Sequence, residues 1–308
     1  MKLYFAPMEG LTQYTYRQVH YKMFGGCDEY YAPFICPMRE EKISPRHLKD
    51  ILPENNEGIP IKVQILSNDA EAFMNFEKKI KVYGYDEINI NAGCPFPMVV
   101  KKFRGAGLLR ELDRLDNFLK EVFDRSELKI SVKTRIGYES PDEAEDILRI
   151  YNDYPISELM VHPRTREAFY EGVPNDEVFS YIYENSKNRL CYNGNIFTVE
   201  DYNKITEKYH DLSSVMIGRG AIANPAIFRE IKGGKRLETR ELVEFTEVFA
   251  EEYHKLVRSE TFTLHKLKGL WIYMLWNFPE EKKIAKKMKK ANKIADFIAA
   301  AKLLPELN

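Results

Sequence analysis

The octapeptide Ile88-Asn89-Ile90-Asn91-Ala92-Gly93-Cys94-Pro95 alternates apolar and polar residues and then breaks at a glycine. From Glu87 to Asn91 the alternation has the period of a short buried strand. Gly93 permits a sharp turn and Pro95 stiffens the exit, so the Cys94 thiol is delivered to a strand end. A thiol there can act as a nucleophile or an acid, or fill a turn as a small buried hydrophobe. Comparable strands are predicted at Lys2–Met8, Glu29–Ile35, Pro60–Leu66, Lys129–Ile136, Glu158–Arg164, Arg189–Ile196 and Ser214–Gly220. Helical patterns lie between several of them, clearest at Ala70–Tyr83, Leu112–Asp124, Asp142–Tyr154 and Val199–Lys208. This β/α alternation predicts a parallel sheet closed into a (β/α)8 TIM barrel. A doubly wound open sheet is the alternative, but no GxGxxG follows the first strand.

Local signals support these boundaries. Ser140-Pro141-Asp142-Glu143 offers a cap, a proline for the first helical position and acids for the helix dipole, and Thr198-Val199-Glu200-Asp201 a second hydroxyl cap. Gly233-Gly234 marks a break, after which the pattern is helical without strands, so an all-α helical-bundle domain is expected at 236–308 behind a barrel at 1–235. A length of 308 residues suits one large barrel with such an appendix. The four cysteines, Cys27, Cys36, Cys94 and Cys191, lack CxxC spacing, which argues against a zinc site or disulfide framework and for a reducing cytoplasm. No window has transmembrane length, and the apolar start is too short for a signal peptide. With a net charge of −1, any basic surface must be local.

Barrel active sites form at the C-terminal ends of the strands. Here those ends repeatedly carry polar or special residues: Ala6-Pro7-Met8-Glu9-Gly10, Gln64, Asn91 with Cys94, Lys133-Thr134-Arg135, His162-Pro163-Arg164-Thr165, Asn193-Gly194-Asn195 and Gly218-Arg219-Gly220. Gly194 and the Gly218-x-Gly220 pair allow close backbone approach to a phosphate, and Arg219 adds a forked cation. Gln64 can both donate to and accept from the pyrimidine edge of a flavin, and Lys133 can stabilise negative charge on that ring. Lys133 could instead form an ion pair, and His162 could be a hydrogen-bonded strand-end histidine. Arg135 and Arg164 could brace loops or touch a ligand.

Read in order, the motifs Ala-Pro-Met-Glu-Gly, Asn-x-Gly-Cys-Pro, Val-Lys-x-Arg-x-Gly, His-x-Arg-Thr, Asn-Gly-Asn and Ile-Gly-Arg-Gly-Ala resemble the flavin-dependent tRNA-dihydrouridine synthases from Leu3 to about Phe228. The tail resembles that family's RNA-recognition domain. The resemblance implies FMN as cofactor, NADPH as reductant and reduction of the C5–C6 double bond of a uridine in tRNA. It implies that Pro7, Met8 and Glu9 line the flavin, with Gln64 and Lys133 at its polar edge and His162 against the ring. Asn193, Gly194, Asn195, Gly218 and Arg219 would take the phosphate region. Asn91, with Arg135, would hold the target uracil, and Cys94 would donate the proton. The sequence departs from the family pattern at Phe96-Pro97-Met98, before Lys101-Lys102 and Arg104, and at Glu167-Ala168 and Pro174-Asn175-Asp176.

In the tail, one helix is expected from Pro279 to about Leu304. Ile284, Met288, Ala291, Ile294 and Ile298 would face inward, and Lys282, Lys286, Lys289, Lys290 and Lys293 outward. This stripe, with Lys266 and Lys268, is expected to dock a phosphate backbone, the sites carried forward being Lys266, Lys268 and Lys289. Trp271 and Trp276 are expected in the core. Alternatives are a ribosomal RNA target, a dihydroorotate-dehydrogenase-like FMN barrel acting on a free pyrimidine, and a flavin-free RNA-binding protein.

Overall fold

Eight parallel strands pair in chain order, and the last closes on the first to complete the barrel. The computed structural model describes residues 1–37, 39 and 43–307. The strands are β1 (Lys2–Phe5), β2 (Glu29–Tyr31), β3 (Ile61–Ile65), β4 (Glu87–Ala92), β5 (Lys129–Gly137), β6 (Leu159–Thr165), β7 (Leu190–Tyr192) and β8 (Ser214–Ile217). The fold is thus the predicted (β/α)8 barrel followed by helices.

Four strands stop three or four residues short of the C-terminal ends that the sequence pattern suggests. β1 stops two residues before Pro7, whose missing N–H cannot extend the ladder. β2 ends at Tyr31, and pairing resumes only as an isolated bridge between Ile35 and Ile65. β7 ends before the Asn193-Gly194-Asn195 turn. β8 ends at Ile217, and Arg219–Ala223 starts a helix instead. In each case the glycine- and proline-bearing residues left the ladder to build the mouth. The Val199–Lys208 helix matches its predicted span and carries the Thr198 capping box. The Ala70–Lys81 and Leu112–Arg125 helices differ from theirs by only one or two residues.

Tyr4, Ala6, Tyr31, Met160, Cys191 and Met216 form a separate buried cluster drawn from five of the strands and the residue after β1. A larger core surrounds it and runs without interruption from the barrel into the tail. Tyr16, on the Tyr14–Met23 helix, meets Phe245 and Phe249 of the Thr239–Val257 helix, with ring centroids 5.5 and 6.1 Å apart. Trp271, in the Glu260–Met274 helix, is buried as expected, and its indole N–H donates to Thr246 Oγ1 at 2.9 Å.

The expected long terminal helix is two helices, Lys282–Lys290 and Ile294–Ala301. Ala291 turns extended (ψ 137°) between them. Its freed carbonyl accepts a hydrogen bond from Lys268 Nζ at 2.6 Å, and Glu260 accepts one from the Ile294 N–H at 3.0 Å. A break of this kind is stable because outside side chains satisfy the groups it frees. Met288 and Ala291 do face inward, while the stripe lysines are exposed. Among the described residues, no helix is long and apolar enough to cross a membrane.

Candidate active site

A cavity of about 430 Å³ opens where the C-terminal ends of the strands converge. Most of the predicted site residues line it: Pro7, Met8, Glu9, Asn91, Cys94, Lys133, Arg135, His162, Asn193, Gly194, Gly218 and Arg219. Gln64 and Asn195 do not.

The cysteine loop is built from its own strand. The Asn91 side-chain oxygen accepts from the backbone N–H groups of Gly93 (3.1 Å) and Cys94 (2.9 Å). This is the local side-chain-to-backbone turn that asparagine favours. Arg135 Nε donates to the Gly93 carbonyl at 2.8 Å, and the Ala106 N–H donates to the Cys94 carbonyl at 3.0 Å. Gly105 packs so close that a Cβ there would stand 2.9 Å from Cys94 Cβ. The thiol is therefore fixed, nearly covered and on the cavity wall. Burial pushes its pKa up, and the Phe96 N–H, Arg135 and Lys133 oppose this without reversing it. Cys94 is held as a neutral thiol at neutral pH, the state of an acid rather than of an activated nucleophile.

Three residues expected to touch a ligand have protein partners here. Gln64 is fully buried beneath the cavity. Its amide donates to Asn89 (2.7 Å) and accepts from Asn91 (2.8 Å), in a chain that continues from Asn89 to Ser131 (2.9 Å). It props the floor instead of meeting a ligand edge. Asn91 reaches the cavity and positions the thiol through its bonds to the cysteine loop and Gln64, with one amide hydrogen left over for a ligand. Asn195 is drawn off the wall by two arginines, accepting from Arg219 (2.8 Å) and Arg164 (3.3 Å).

Arg135 and Arg164 both have backbone partners. Arg135 braces loops while lining the cavity, since its Nη1 also donates to the carbonyls of Thr165 (2.8 Å) and Phe169 (2.7 Å). Arg164 braces only: it binds the carbonyls of Glu171 and Gly172 and donates to His162 Nε2 at 2.9 Å. That last bond assigns the acceptor role to Nε2. Burial and the nearby cations Arg135, Lys133, Arg164 and Arg219 keep His162 neutral by driving its pKa far down.

Lys133 makes no hydrogen bond or ion pair with any described residue. Burial and Arg135 lower its pKa to about 8. Glu9 is the only carboxylate among the described lining residues, and burial raises its pKa. The cavity therefore holds an uncompensated excess of positive charge, which calls for an anionic ligand. The wall also fits a phosphate. A Cβ on Gly194 would stand 2.1 Å from the Tyr192 hydroxyl, and one on Gly218 would touch Ala6 and Met8 at 3.3 Å. Bare backbone is what these positions admit, beside the Arg219 guanidinium.

The sequence reading missed several wall residues. Tyr170 lies between two guanidinium groups, 4.9 Å from that of Arg219 and 5.4 Å from that of Arg135. It follows Phe169, whose φ of 46° is left-handed, a conformation rare for a bulky residue and held here by the Arg135 bond to its carbonyl. Nothing in the periodicity marks such a loop. Phe96 lines the rim, as do Ile272, Tyr273 and Trp276 from the tail. Trp276 is 45% exposed and stands edge-on to Phe197 and Tyr273, so it belongs to the mouth and not, as expected, to the core.

The lysines expected to grip RNA divide. Lys266 is buried, its ammonium bonded to the Gly10 carbonyl and to Gln13 Oε1 (2.9 Å), and Lys268 holds the Ala291 carbonyl. Both are structural ties. Lys289 is exposed on the Lys282–Lys290 helix.

The architecture is shared with barrel oxidoreductases: morphinone reductase superposes with a TM-score of 0.54 at 12% identity, covering 76% of this chain and 86% of that one. At that identity the likeness concerns the fold alone. The family model for dihydrouridine synthases (Dus) matches residues 4–303. The chain is 30% identical to the tRNA-dihydrouridine(16) synthase of Pseudomonas syringae pv. tomato, over 77% of each chain. It is also 30% identical to the tRNA-dihydrouridine(20a/20b) synthase [NAD(P)+] of Saccharomyces cerevisiae, over 72% of this chain and 60% of that one. The chain belongs to the dihydrouridine synthase family, and is thereby a flavin-dependent oxidoreductase.

Proposed function

We propose that this enzyme reduces the C5–C6 double bond of a uridine in folded tRNA, with FMN in the cavity and NADPH as reductant. The observation that carries the reading is one cavity joining a neutral, immobilised thiol to an unpartnered lysine and a glycine-and-arginine cradle. When bound, FMN supplies the hydride that C6 of the uracil receives.

The remaining chemistry belongs to the chain. Cys94 Sγ holds the proton destined for C5, and burial keeps it there at neutral pH. Asn91 and Arg135 fix the loop, so the thiol does not have to be reoriented for each turnover. Lys133 offers a positive charge to the anionic edge of the cofactor, while Gly194, Gly218 and Arg219 take its phosphate. Pro7, Met8 and the neutral His162 flank the ring position. The uridine must leave its stack to enter, and Trp276, Tyr273 and Phe96 give the mouth aromatic faces for it and its neighbours.

In this reading the tail is the RNA-recognition element, through the exposed Lys282–Lys290 face and Lys293. A tRNA substrate places the enzyme in the cytoplasm. The test is to incubate the yellow holoenzyme with NADPH and either unmodified tRNA or orotate, and to map dihydrouridine along the RNA. Reaction with orotate alone overturns the assignment.

A further inference from the structure

Beside the active-site cavity lies a second one, of about 350 Å³, within the size range of ligand pockets. The ridge between them is residues 9–13: Glu9 lines the first cavity and Gln13 the second. The second takes Arg46 and Lys49 from the Pro45–Ile51 helix and Tyr253 from the tail. Its one acid among the described lining residues, Asp50, is committed, accepting from the Tyr14 N–H at 2.5 Å and pairing with the buried Arg17 at 3.4 Å. Arg46 and Lys49 therefore leave the pocket positive. Lys266 stands 5.3 Å from the Tyr253 ring centroid and stiffens the ridge through its bonds to Gly10 and Gln13. Phe249 stacks on one side of Tyr253, with centroids 5.6 Å apart; the remaining aromatic surface, with two cations and a side-chain amide, is the equipment that binds a nucleoside phosphate. None of these residues serves the reaction next door.

The geometry points to a second nucleotide subsite. It takes a nucleotide flanking the reduced uridine in the RNA strand, with its phosphate on Arg46 and Lys49 and its base on Tyr253. The inference rests on the RNA reading above. The strand is favoured over a free nucleotide because the two cavities share the 9–13 ridge, so a backbone leaving the first cavity on that side passes over it. Arg46 stands there, 4.0 Å from the Glu9 carboxylate.

The test uses flavin-loaded full-length enzyme, a tRNA transcript and salt-dependent equilibrium binding, with visible absorbance as the check that each variant retains its fold and flavin. Arg46→Gln combined with Lys49→Gln should weaken tRNA binding and flatten the log Kd against log[salt] slope by about 0.7, the share of the one phosphate they hold. Tyr253→Ala should weaken binding about thirtyfold, a mid-range loss for one stacked base, whereas Tyr253→Phe should bind as wild type. The affinity for NADPH should not move. Unchanged tRNA affinity and salt slope in the double variant would overturn the subsite, as would a loss confined to NADPH, which would assign the pocket to the reductant. Dihydrouridine formation by the wild type is scored separately. An inactive wild type whose tRNA binding still depends on Arg46 and Lys49 would refute the reaction and leave the subsite standing.

Discussion

Gly220→Ala isolates the phosphate cradle from the rest of the enzyme. Gly220 sits in the first turn of the Arg219–Ala223 helix, and a Cβ there would lie 1.9 Å from the Ile196 carbonyl oxygen. Ordinary contact between such atoms is on the order of 3.4 Å, so about 1.5 Å of overlap must be relieved. The obstacle is backbone, and no rotamer change can relieve it. Either the 193–197 loop or the helix start has to shift, and these segments carry Asn193, Gly194, Gly218 and Arg219. Overpacking on this scale costs roughly 1–3 kcal/mol, which lowers Tm by about 2–5 °C in a chain of this size. The displaced cradle should also weaken FMN binding, on the order of tenfold to a hundredfold if most of that strain is relieved by losing the phosphate contacts. The assay is titration of apoprotein with FMN, read by flavin fluorescence, beside a thermal melt and circular dichroism. Gly269→Ala is the control: its Cβ would meet only Leu11 at 3.5 Å inside a helix, and it should be neutral or stabilising by up to ~1 kcal/mol. If Gly220→Ala folds with the expected Tm loss and binds FMN as tightly as wild type, the phosphate does not lie in this cradle.

Cys94→Ala should retain FMN while dihydrouridine formation falls roughly 10²–10⁴-fold, the usual worth of a positioned acid. Because burial raises the pKa of the thiol, wild-type turnover should hold through neutral pH and fall only as pH climbs through that raised value; an alkaline limb that survives in the alanine variant would assign the proton elsewhere. Lys133→Met should stabilise the apoprotein and weaken FMN. The folded pKa of about 8 lies below the ordinary 10.5, so the burial penalty is present in full below pH 8 and is relieved as pH rises toward 10.5. At pH 7 the relief is on the order of 1–2 kcal/mol once cavity water is allowed for, read as a higher apoprotein Tm that converges with wild type above pH 10.5. Replacing Lys286 and Lys289 by Gln should flatten the salt dependence of tRNA binding without altering flavin content; an unchanged slope would make that helix face a solvated surface only.

The barrel was legible because strand and helix periods differ and repeat, and because polar residues recur at the strand ends. Cys94, Lys133, Arg219 and the glycines could be placed from type and position alone. What the sequence misled about was commitment. Gln64 and Asn91 look like ligand-binding amides, and the structure shows that both also hydrogen-bond within the floor, as a dry interior requires. Lys266 and Lys268 read as one basic patch, and only tertiary structure shows that Lys266 ties down a barrel carbonyl and Lys268 one within the tail. Tyr170 and Trp276 were out of reach for the opposite reason. One hangs from a left-handed turn held by Arg135, the other from the end of a helix folded back over the barrel, and neither geometry leaves a periodic trace.

The stacked aromatic seam of Tyr16, Phe245 and Phe249 leaves no joint about which the tail could swing. A barrel severed at residue 236 would carry a greasy scar along its first helix and lose one side of its reaction chamber, since Ile272, Tyr273 and Trp276 would leave with the tail. The tail is thus masonry for the chamber. Exchanging this segment for another would require the Tyr16 side of the barrel to be recast to match.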